Sequence, residues 1–414
     1  MADDPFSTTT RCCVVGAGPA GAVLALLLAR RGVPVVLLEA HHDFDRDFRG
    51  DTVHPSTLEI LDQLGLADRL HQLPHGKIRS LKLRTPAGAV TIADMTRSRA
   101  KFPYVLMIPQ ARLLELLTDE AKKYPHFTLV LGANVQRLIE ESGAVVGVSY
   151  RDAADRWHDV RADLTVAADG RFSKLRHLAG IEPVKTAPPM DVLWFRLPRR
   201  PGDPGESAEI YVGGGHFAVV LDRADQWQIG YVILKGSFAA VRAAGIEAVR
   251  SGLAAVVPWL ADRVGELTDW KQMAVLNVES SRVPTWHKPG LLLIGDAAHV
   301  MSPVAGVGIN YAVQDAVEAA NLLADKLRRG PVTEADLAAV QRRREFPVKV
   351  IQRVQKLIQD RIAAPGLDAK QEFRPPWFLR LITAVPGLRA LPARLMGYGV
   401  RRVRVEGEPE PPAV

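Results

Sequence analysis

A glycine-rich turn near the start of the chain has the residue types and spacing that bind a dinucleotide. Gly16, Gly18 and Gly21 occur in GAGPAG, between an apolar run and a helical pattern. The first glycine permits a tight turn, the second lets a pyrophosphate approach the backbone, and the third allows close helix packing. Pro19 and Ala20 open the helix, whose free amides can face the phosphates.

The second apolar run of the chain ends in a carboxylate. Glu39 closes VPVVLLEA at the distance from the glycine turn where an acid holds a ribose hydroxyl. The alternative is a bare glycine turn in an ordinary α/β protein. Because strand, helix and acid are all in register, the pattern favours a dinucleotide site.

A second glycine-rich stretch, LLLIGDAAHVMSPVAGVGIN, begins as a buried strand and ends as a loop before a helix. Gly295 and Asp296 close the strand. The loop and the start of the helix supply Gly306, Val307, Gly308 and Asn310. A strand-to-helix join needs less glycine than this, so we expect the main chain here to approach a bound group closely. The alternative for Asp296 is a helix cap.

The elements that position these residues alternate between strand and helix. Residues 11–40 read as strand, turn, helix and strand, and residues 55–70 as one further helix. Residues 191–277 read as successive antiparallel strands with one helix, and the chain after residue 331 as mostly helical. The sequence therefore predicts an α/β protein with a Rossmann-like domain, an inserted antiparallel sheet and C-terminal helices.

Composition excludes several classes of protein. An apolar content of 47% with 24% charged residues is that of a globular chain, and 414 residues favour more than one domain. The net charge of +7 is concentrated at the end of the chain, because residues 342–414 carry 15 Lys and Arg against 7 Asp and Glu. No basic-aromatic interleaving or binding motif supports a nucleic-acid partner. No metal site is expected.

Cysteine usage and hydropathy indicate the compartment. Cys12 and Cys13 are the two cysteines and are adjacent, so they form no disulfide framework. No signal peptide is visible, and no apolar run reaches the roughly 18 residues that span a bilayer. These features predict a cytoplasmic protein.

Three motifs together resemble those of a known family. LTVAADGRFSKLR, with Asp169 and Gly170, lies between the first motif and the one at Gly295-Asp296. In this order they resemble the FAD-dependent aromatic hydroxylases, the single-component flavoprotein monooxygenases of the para-hydroxybenzoate hydroxylase type. The resemblance covers roughly residues 11–340. It implies a bound FAD, reduction by a transient NADPH or NADH, and O2 as a substrate. A C4a-hydroperoxyflavin would then hydroxylate an aromatic or polyketide-like small molecule.

The resemblance also implies roles for individual residues. Asp296 would lie near the ribityl and pyrophosphate part of FAD, and Asp169-Gly170 near FAD and the passing nicotinamide cofactor. The amides after Gly306 would face the N1–C2 carbonyl edge of the flavin, which becomes anionic on reduction. Further FAD contacts would come from Arg49, Gln110 and Arg112. An Asp-Gly turn that only ends a strand is the alternative for residues 169–170.

Domain boundaries follow from the same pattern. The FAD-binding domain is predicted to be discontinuous, and a helical region to end the chain. The expected ranges are 1–75, 96–190 and 278–340 for FAD binding, 76–95 and 191–277 for the substrate sheet, and 341–414 for the helical region. Apolar residues among the arginines of this last region give either a helical cap or a peripheral membrane contact. A monomer or a homodimer is compatible with the sequence.

The catalytic residues are left unassigned. The substrate sheet offers polar and aromatic candidates, for each of which ordinary packing in a strand is the alternative. They are Trp194, Arg196, Tyr211, His216, Trp227 and Tyr231. Two other functions are alternatives to monooxygenation. A related flavoprotein reductase or dehydrogenase would turn over without O2, and a sequestration protein would bind FAD and ligand without oxidising NAD(P)H.

Overall fold

The computed structural model describes residues 7–45, 51–223, 225–368, 373–376, 385 and 388–407. Its strands are β1 (Ser7–Val15), β2 (Val35–Glu39), β3 (Thr52–Val53), β4 (Gly76–Ile78), β5 (Ser80–Thr85), β6 (Gly88–Asp94), β7 (Val105–Met107), β8 (Phe127–Leu131), β9 (Asn134–Glu141), β10 (Ala144–Arg151), β11 (Trp157–Ala167), β12 (Val184–Thr186), β13 (Met190–Pro198), β14 (Ser207–Gly213), β15 (His216–Asp222), β16 (Gln226–Leu234), β17 (Ala274–Leu276), β18 (Ser280–Arg282), β19 (His287–Lys288), β20 (Leu291–Leu293) and β21 (His299–Val300).

The α-helices are α1 (Pro19–Arg30), α2 (Pro55–Gln63), α3 (Ala67–Gln72), α4 (Gln110–Ala121), α5 (Lys174–Leu178), α6 (Phe238–Ala243), α7 (Ile246–Val256), α8 (Gly308–Arg329), α9 (Glu334–Ile358), α10 (Ala364–Gly366) and α11 (Leu391–Tyr398). A π-helical turn over Gln359–Ala363 follows α9.

The larger sheet has a parallel core in the order β8-β2-β1-β11-β20. In chain order this is 3-2-1-4-5, the order of a Rossmann-like fold. β2, β20 and the last residues of β1 and β11 are mainly apolar and buried on both faces, as the centre of a parallel sheet requires, whereas the edge strand β8 is partly exposed. Alternation along β1 sends Cys12 into the cluster with α1 and α8, and Cys13 into the cluster on the opposite face. The predicted fold class is confirmed.

The second sheet has the order β17-β13-β16-β15-β14-β5-β6. All its pairs are antiparallel except β14 with β5. One face is covered by α7 through Val249 and Leu253, and the other packs against Val304 and against Ile358 at the end of α9. The sheet thus joins residues 80–94 to residues 190–276 across the intervening chain. The exact domain boundaries stay a prediction.

The expectation of a single helix over residues 55–70 is wrong. α2 ends at Gln63 and α3 begins at Ala67, because Gly65 takes a φ of +75°, which ends the first helix. The helical periodicity continued through the break because both helices bury leucines on the same core. Within the described ranges, no helix is long and apolar enough to cross a membrane.

Candidate active site

The three motifs meet at one edge of the parallel sheet. Each follows a strand, namely β1, β11 and β20, and these strands are neighbours and run in the same direction. Gly16 follows β1, Asp169 lies just beyond β11, and Gly295 lies just beyond β20. Glu39 ends the next strand, β2, at the same edge. The carboxyl edge of a parallel sheet, where the strand order reverses, is where such folds bind their ligands.

Two glycines of the first motif are required by packing. Gly16 has a φ of +99°, and a Cβ there would lie 2.5 Å from the carbonyl oxygen of Ala168. A Cβ on Gly21 would lie 1.9 Å from the carbonyl oxygen of Gly16. The turn between β1 and α1 is therefore tightly packed against the start of the second motif, and no larger residue fits at either position.

Gly18 has a different environment. A Cβ on Gly18 would meet no protein atom within 4 Å, and its backbone is extended. It is the N-cap residue of α1, and no side chain caps the helix. The first N–H groups of a helix lack intrahelical acceptors, so this open space faces donors that suit a phosphate. The geometry fits the pyrophosphate of a dinucleotide.

Glu39 is held in place by the turn that it faces. Its Oε2 accepts from the amide of Ala17 at 2.9 Å, and its Oε1 accepts from the amide of His41 at 3.0 Å. The side chain is buried. A carboxylate has about four acceptor positions, so two backbone bonds leave capacity for ribose hydroxyls.

Asp169 is committed to a helix start. Its carboxylate accepts from Ser173 Oγ at 2.5 Å and from the amide of Leu175 at 3.0 Å, which fixes the beginning of α5. Burial raises the pKa of Asp169 above its usual value, and these hydrogen bonds act in the opposite direction. Gly170 has a φ of +80° and makes the turn. The motif shapes the edge of the sheet beside Gly16, and a direct FAD contact for Asp169 stays a prediction.

The third motif joins two helices. A Cβ on Gly295 would lie 3.1 Å from the Cβ of Ala20 in α1 and 3.4 Å from that of Ala312 in α8. The amide of Gly295 donates to Asp315 Oδ2 at 3.0 Å. Asp296 follows Gly295 beyond the end of β20 and is half-buried, whereas both of its neighbours are buried.

Asp315 is the centre of a buried charged cluster that the sequence analysis missed. Its Oδ2 also contacts His299 Nε2 at 2.6 Å, and its Oδ1 accepts from Arg344 Nε at 2.7 Å. All three side chains are at most 1% exposed. Burial alone would raise the pKa of Asp315, but His299 and Arg344 together lower it. This cluster supports the Gly295 turn from behind.

The loop of residues 303–308 connects the third motif to α8. Ala305 and Gly306 have φ values of +65° and +61°, so the backbone is left-handed at two successive residues. The carbonyl oxygen of Gly306 accepts from Thr52 Oγ1 at 3.0 Å and lies 3.0 Å from His54 Nε2. Thr52 in β3 and His54 just before α2 therefore hold this loop in place. Because these residues are far from the loop in the sequence, the contact was not predicted.

His54 gives a pH-dependent prediction. Both of its ring nitrogens face carbonyl oxygens, of Gly306 and Met396, and burial nevertheless lowers its pKa from 6.5 to about 4. The unfolded state therefore takes up the proton first as the pH falls. We expect stability to be complete above pH 6.5 and to decline towards pH 4, by about 3 kcal/mol in total. Urea unfolding of the wild type and H54Q at several pH values would measure it.

The H54Q variant isolates the contribution of this one imidazole. Glutamine keeps a side-chain donor near Gly306 but does not titrate in this range. We expect the free-energy difference between the two proteins to shrink as the pH falls from 7 to 4.5. Parallel pH profiles would contradict the assignment of this acid sensitivity to His54.

Asn310 points into the protein. Its Oδ1 accepts from Ser56 Oγ at 2.5 Å and from Thr57 Oγ1 at 2.8 Å, both in the first turn of α2. Its Nδ2 is buried and has no hydrogen-bond partner among the described residues. The side chain thus ties α8 to α2, and an FAD contact for Asn310 stays a prediction.

The remaining predicted FAD contacts are separated by the structure. Gln110 begins α4, and its backbone N–H donates to Asp51 Oδ1 at 3.4 Å. Asp51 precedes Thr52, which contacts the 303–308 loop. Arg112 lies on the exposed side of α4 and pairs with Glu115 at 3.0 Å. Arg49 lies outside the described residues. The FAD contacts assigned to these side chains stay predictions.

Asp51 links the second sheet to the start of β3. It lies 2.8 Å from Arg223, which follows β15, and both side chains are almost buried. Burial raises the pKa of Asp51, and Arg223 acts against this. Burial lowers the pKa of Arg223, and Asp51 acts against that. The pair fixes the second sheet over the start of β3.

Successive side chains of a strand point to opposite faces of the sheet, and this divides the candidate substrate residues into two groups. The side chains of Tyr211, Trp227 and Tyr231 are buried on the face covered by α7. There Tyr231 contacts His216 Nδ1 at 2.6 Å and Trp259 donates to Tyr211 at 2.8 Å. These residues pack on the side of the sheet that faces away from the 303–308 loop.

Trp194 and Arg196 lie on the opposite face. Trp194 packs against the cluster that also contains Val304. Its ring covers Gly230 on the neighbouring strand, where a Cβ would lie 2.9 Å from Trp194 Cη2. Arg196 is two residues further along β13, so it shares this face, and its side chain is exposed. A flat aromatic surface and a cation therefore face the side of the sheet where the 303–308 loop lies.

Comparison with known proteins agrees with this geometry. A family model described as FAD binding domain matches residues 9–354. The 6-methylpretetramide 4-monooxygenase of Streptomyces rimosus is 34% identical over 97% of this chain and 96% of its own. The protoasukamycin 4-monooxygenase of Streptomyces nodosus subsp. asukaensis is 26% identical over 80% of this chain and 84% of its own.

A solved structure has the same fold. The OxyS anhydrotetracycline hydroxylase from Streptomyces rimosus superposes with a TM-score of 0.71 at 22% identity, covering 94% of this chain and 76% of that one. The chain belongs to the FAD-dependent aromatic hydroxylase family, and it is an FAD-dependent monooxygenase. The resemblance inferred from the three motifs is confirmed.

Proposed function

We propose that this monooxygenase uses NADPH or NADH and O2 to hydroxylate an aromatic or polyketide-like small molecule. The relative from Streptomyces rimosus is named for a reaction on 6-methylpretetramide. The observation that carries the proposal is the sheet face with Trp194 and Arg196, which lies on the side of the 303–308 loop. An aromatic ring stacks on an indole, and a guanidinium stabilises an ionised phenol or enol.

The FAD would be held along the carboxyl edge of the parallel sheet. The space beside Gly18 and the start of α1 suit its pyrophosphate, and Glu39 suits a ribose. On this proposal Asp296 would hold the ribityl chain, and the backbone of Val307 and Gly308 would face the flavin ring. When bound and reduced, FAD supplies the activation of O2.

The chain's own residues then have three tasks. Trp194 orients the plane of the substrate on the sheet, and Arg196 holds the oxygen that ionises. The amides at the start of α8 favour negative charge next to them. Val192, Val212, Phe217 and Val232 form the apolar wall behind Trp194, and this wall excludes water from the reacting atoms.

The function is tested by product analysis. Purified FAD-loaded protein is supplied with NADPH or NADH, isotopically labelled O2 and a panel of polycyclic phenols, with catalase present. We expect substrate-dependent NAD(P)H oxidation and one labelled oxygen atom in the product. Turnover without O2 would indicate the reductase or dehydrogenase alternative. Ligand binding without NAD(P)H oxidation would indicate sequestration.

The substrate face gives a second prediction. Arg196→Met keeps an unbranched, flexible side chain and removes its charge, so a charge-assisted hydrogen bond to the substrate is lost. We expect the KM for an acidic polyphenol to rise about tenfold, with little change in FAD content. Steady-state kinetics of NAD(P)H oxidation and of product formation would measure it.

Tyr231→Phe is the matched control for Arg196→Met. Tyr231 lies on the neighbouring strand but on the opposite face, and the change removes only its contact with His216. We expect its KM to equal that of the wild type. An equal rise of KM in both variants would show that substrate binding does not depend on the face of the sheet on which a residue lies.

A further inference from the structure

Three buried glutamines follow one side of the last long helix. Gln352 and Gln355 are in α9, and Gln359 begins the π-helical turn after it. They are 9%, 2% and 4% exposed, and a spacing of three and four residues places them on one face. We call these residues the glutamine ladder. Buried amides are costly unless each makes specific hydrogen bonds, so their partners indicate their role.

Every member of the ladder holds the chain around the third motif. Gln352 Nε2 donates to the carbonyl oxygens of Ser281 at 2.9 Å and Val300 at 3.2 Å. Gln359 Nε2 donates to Ser302 Oγ. The ladder therefore follows residues 300–304 up to the beginning of the left-handed turn.

Gln355 makes the contacts closest to that turn. Its Nε2 donates to the carbonyl oxygens of Ser302 and Val304, each at 2.9 Å. Both neighbours accept hydrogen bonds, and a side-chain amide can satisfy both with its two hydrogens. Leucine has no donor, and a glutamate carboxylate would place negative charge against two carbonyl oxygens. The position thus requires a side chain with two donors on one atom.

The loop is held from both sides. Gln355 binds the carbonyls before Ala305, while Thr52 and His54 bind the carbonyl of Gly306. A left-handed alanine is strained, so it persists only where neighbouring contacts impose it. These contacts fix the peptide planes immediately before the start of α8.

We propose that Gln355 is a positioning residue, which sets the backbone donors of Val307 and Gly308 for the flavin ring. The inference rests on the proposed placement of FAD at the start of α8. Without the two hydrogen bonds of Gln355, the 303–308 loop relaxes from its left-handed geometry. The amides then lose their fixed direction, and negative charge on the reduced flavin is less well stabilised.

The test compares Gln355→Leu with Gln341→Leu. Gln341 is on the same helix and also clamps backbone, since it accepts from Trp286 and donates to Pro284, but it does not contact the 303–308 loop. Hydrogen–deuterium exchange on the apoprotein reads the loop without FAD. We expect exchange in peptides covering residues 303–308 to be about tenfold faster in Q355L only.

FAD titration and redox potentiometry of the loaded protein complete the test. We expect Q355L to bind FAD about tenfold more weakly and to shift its midpoint potential to a more negative value. Unchanged loop exchange, FAD affinity and potential in folded Q355L would overturn the proposal. So would equal changes in Q341L. A wild type that binds no FAD would contradict the proposed site, while the exchange result would still test Gln355.

Gln355→Glu keeps the proposal testable if the leucine variant does not fold. A glutamate at this position donates only when protonated, and burial against two carbonyls favours that form. A protonated carboxyl has one O–H and can bind only one of the two carbonyls. We expect loop exchange, corrected for its intrinsic pH dependence, and FAD affinity to recover part of the way towards wild-type values as the pH falls and to resemble the loss variant at high pH. A pH-independent Q355E defect would overturn a role through hydrogen-bond donation.

Discussion

Gly21→Ala is expected to abolish FAD binding by displacing α1, whereas Gly18→Ala leaves the apoprotein intact and weakens only the cofactor. The added Cβ of G21A would lie 1.9 Å from a backbone oxygen that cannot move without opening the turn. We expect a loss of about 3 kcal/mol or more in unfolding free energy. Urea unfolding and the flavin absorbance of the purified protein would record both effects.

The Gly18 variant is the matched control, with the same added methyl group three residues earlier. Its Cβ meets no protein atom within 4 Å, and its φ of −68° suits alanine. We expect apoprotein stability within about 1 kcal/mol of the wild type, and FAD affinity reduced tenfold or more where the pyrophosphate approaches. Full FAD affinity in G18A would place the pyrophosphate elsewhere.

Asp315→Asn is expected to be strongly destabilising. It leaves Arg344, which is completely buried, with no counter-charge at its partner position. Removing one partner of a buried ion pair costs about 3 to 5 kcal/mol, because the remaining charge is uncompensated. Denaturant unfolding would measure the loss, and FAD content would fall with it as the Gly295 turn loosens.

A double variant separates charge from packing at this position. In D315N with Arg344→Met, no arginine charge remains buried, so we expect the double variant to be more stable than D315N alone. Simple additivity of the two single losses would instead assign the effect to shape and hydrogen bonding. Either way, His299 remains beside residue 315, which keeps the local packing comparable.

Local chemistry explains what could be predicted from the sequence. The turn at Gly16 and the start of α1 at Pro19 are adjacent in the chain, and Glu39 lies 22 residues from Ala17, so the glycine spacing and the position of the acid predicted all three. Each of the three motifs follows a strand, and parallel strands end at the same edge of a sheet, so the three motifs meet there. Sequence periodicity failed at Gly65, where one left-handed residue divides a helix without interrupting its apolar pattern.

Long-range contacts account for what the sequence could not reveal. Thr52 and His54 reach Gly306 across 254 and 252 residues, and Arg344 reaches Asp315 from another helix. Each of these side chains is an ordinary polar residue in its own segment. The face of β13 was equally undetermined, because strand alternation separates Trp194 from Phe195 but does not say which side meets the other sheet.

The parallel pairing of β14 with β5 bears on how specificity could be exchanged between relatives. The hairpin of β5 and β6 is encoded more than a hundred residues before β14, yet Arg84 grips Glu209 through two hydrogen bonds of 2.6 and 2.8 Å. A chimera that transplants only residues 190–276 would therefore combine β14 of one protein with β5 of another. To transfer the whole second sheet, a chimera has to carry residues 80–94 together with residues 190–276. Exchange of one continuous segment between two breakpoints around residues 190–276 does not achieve this.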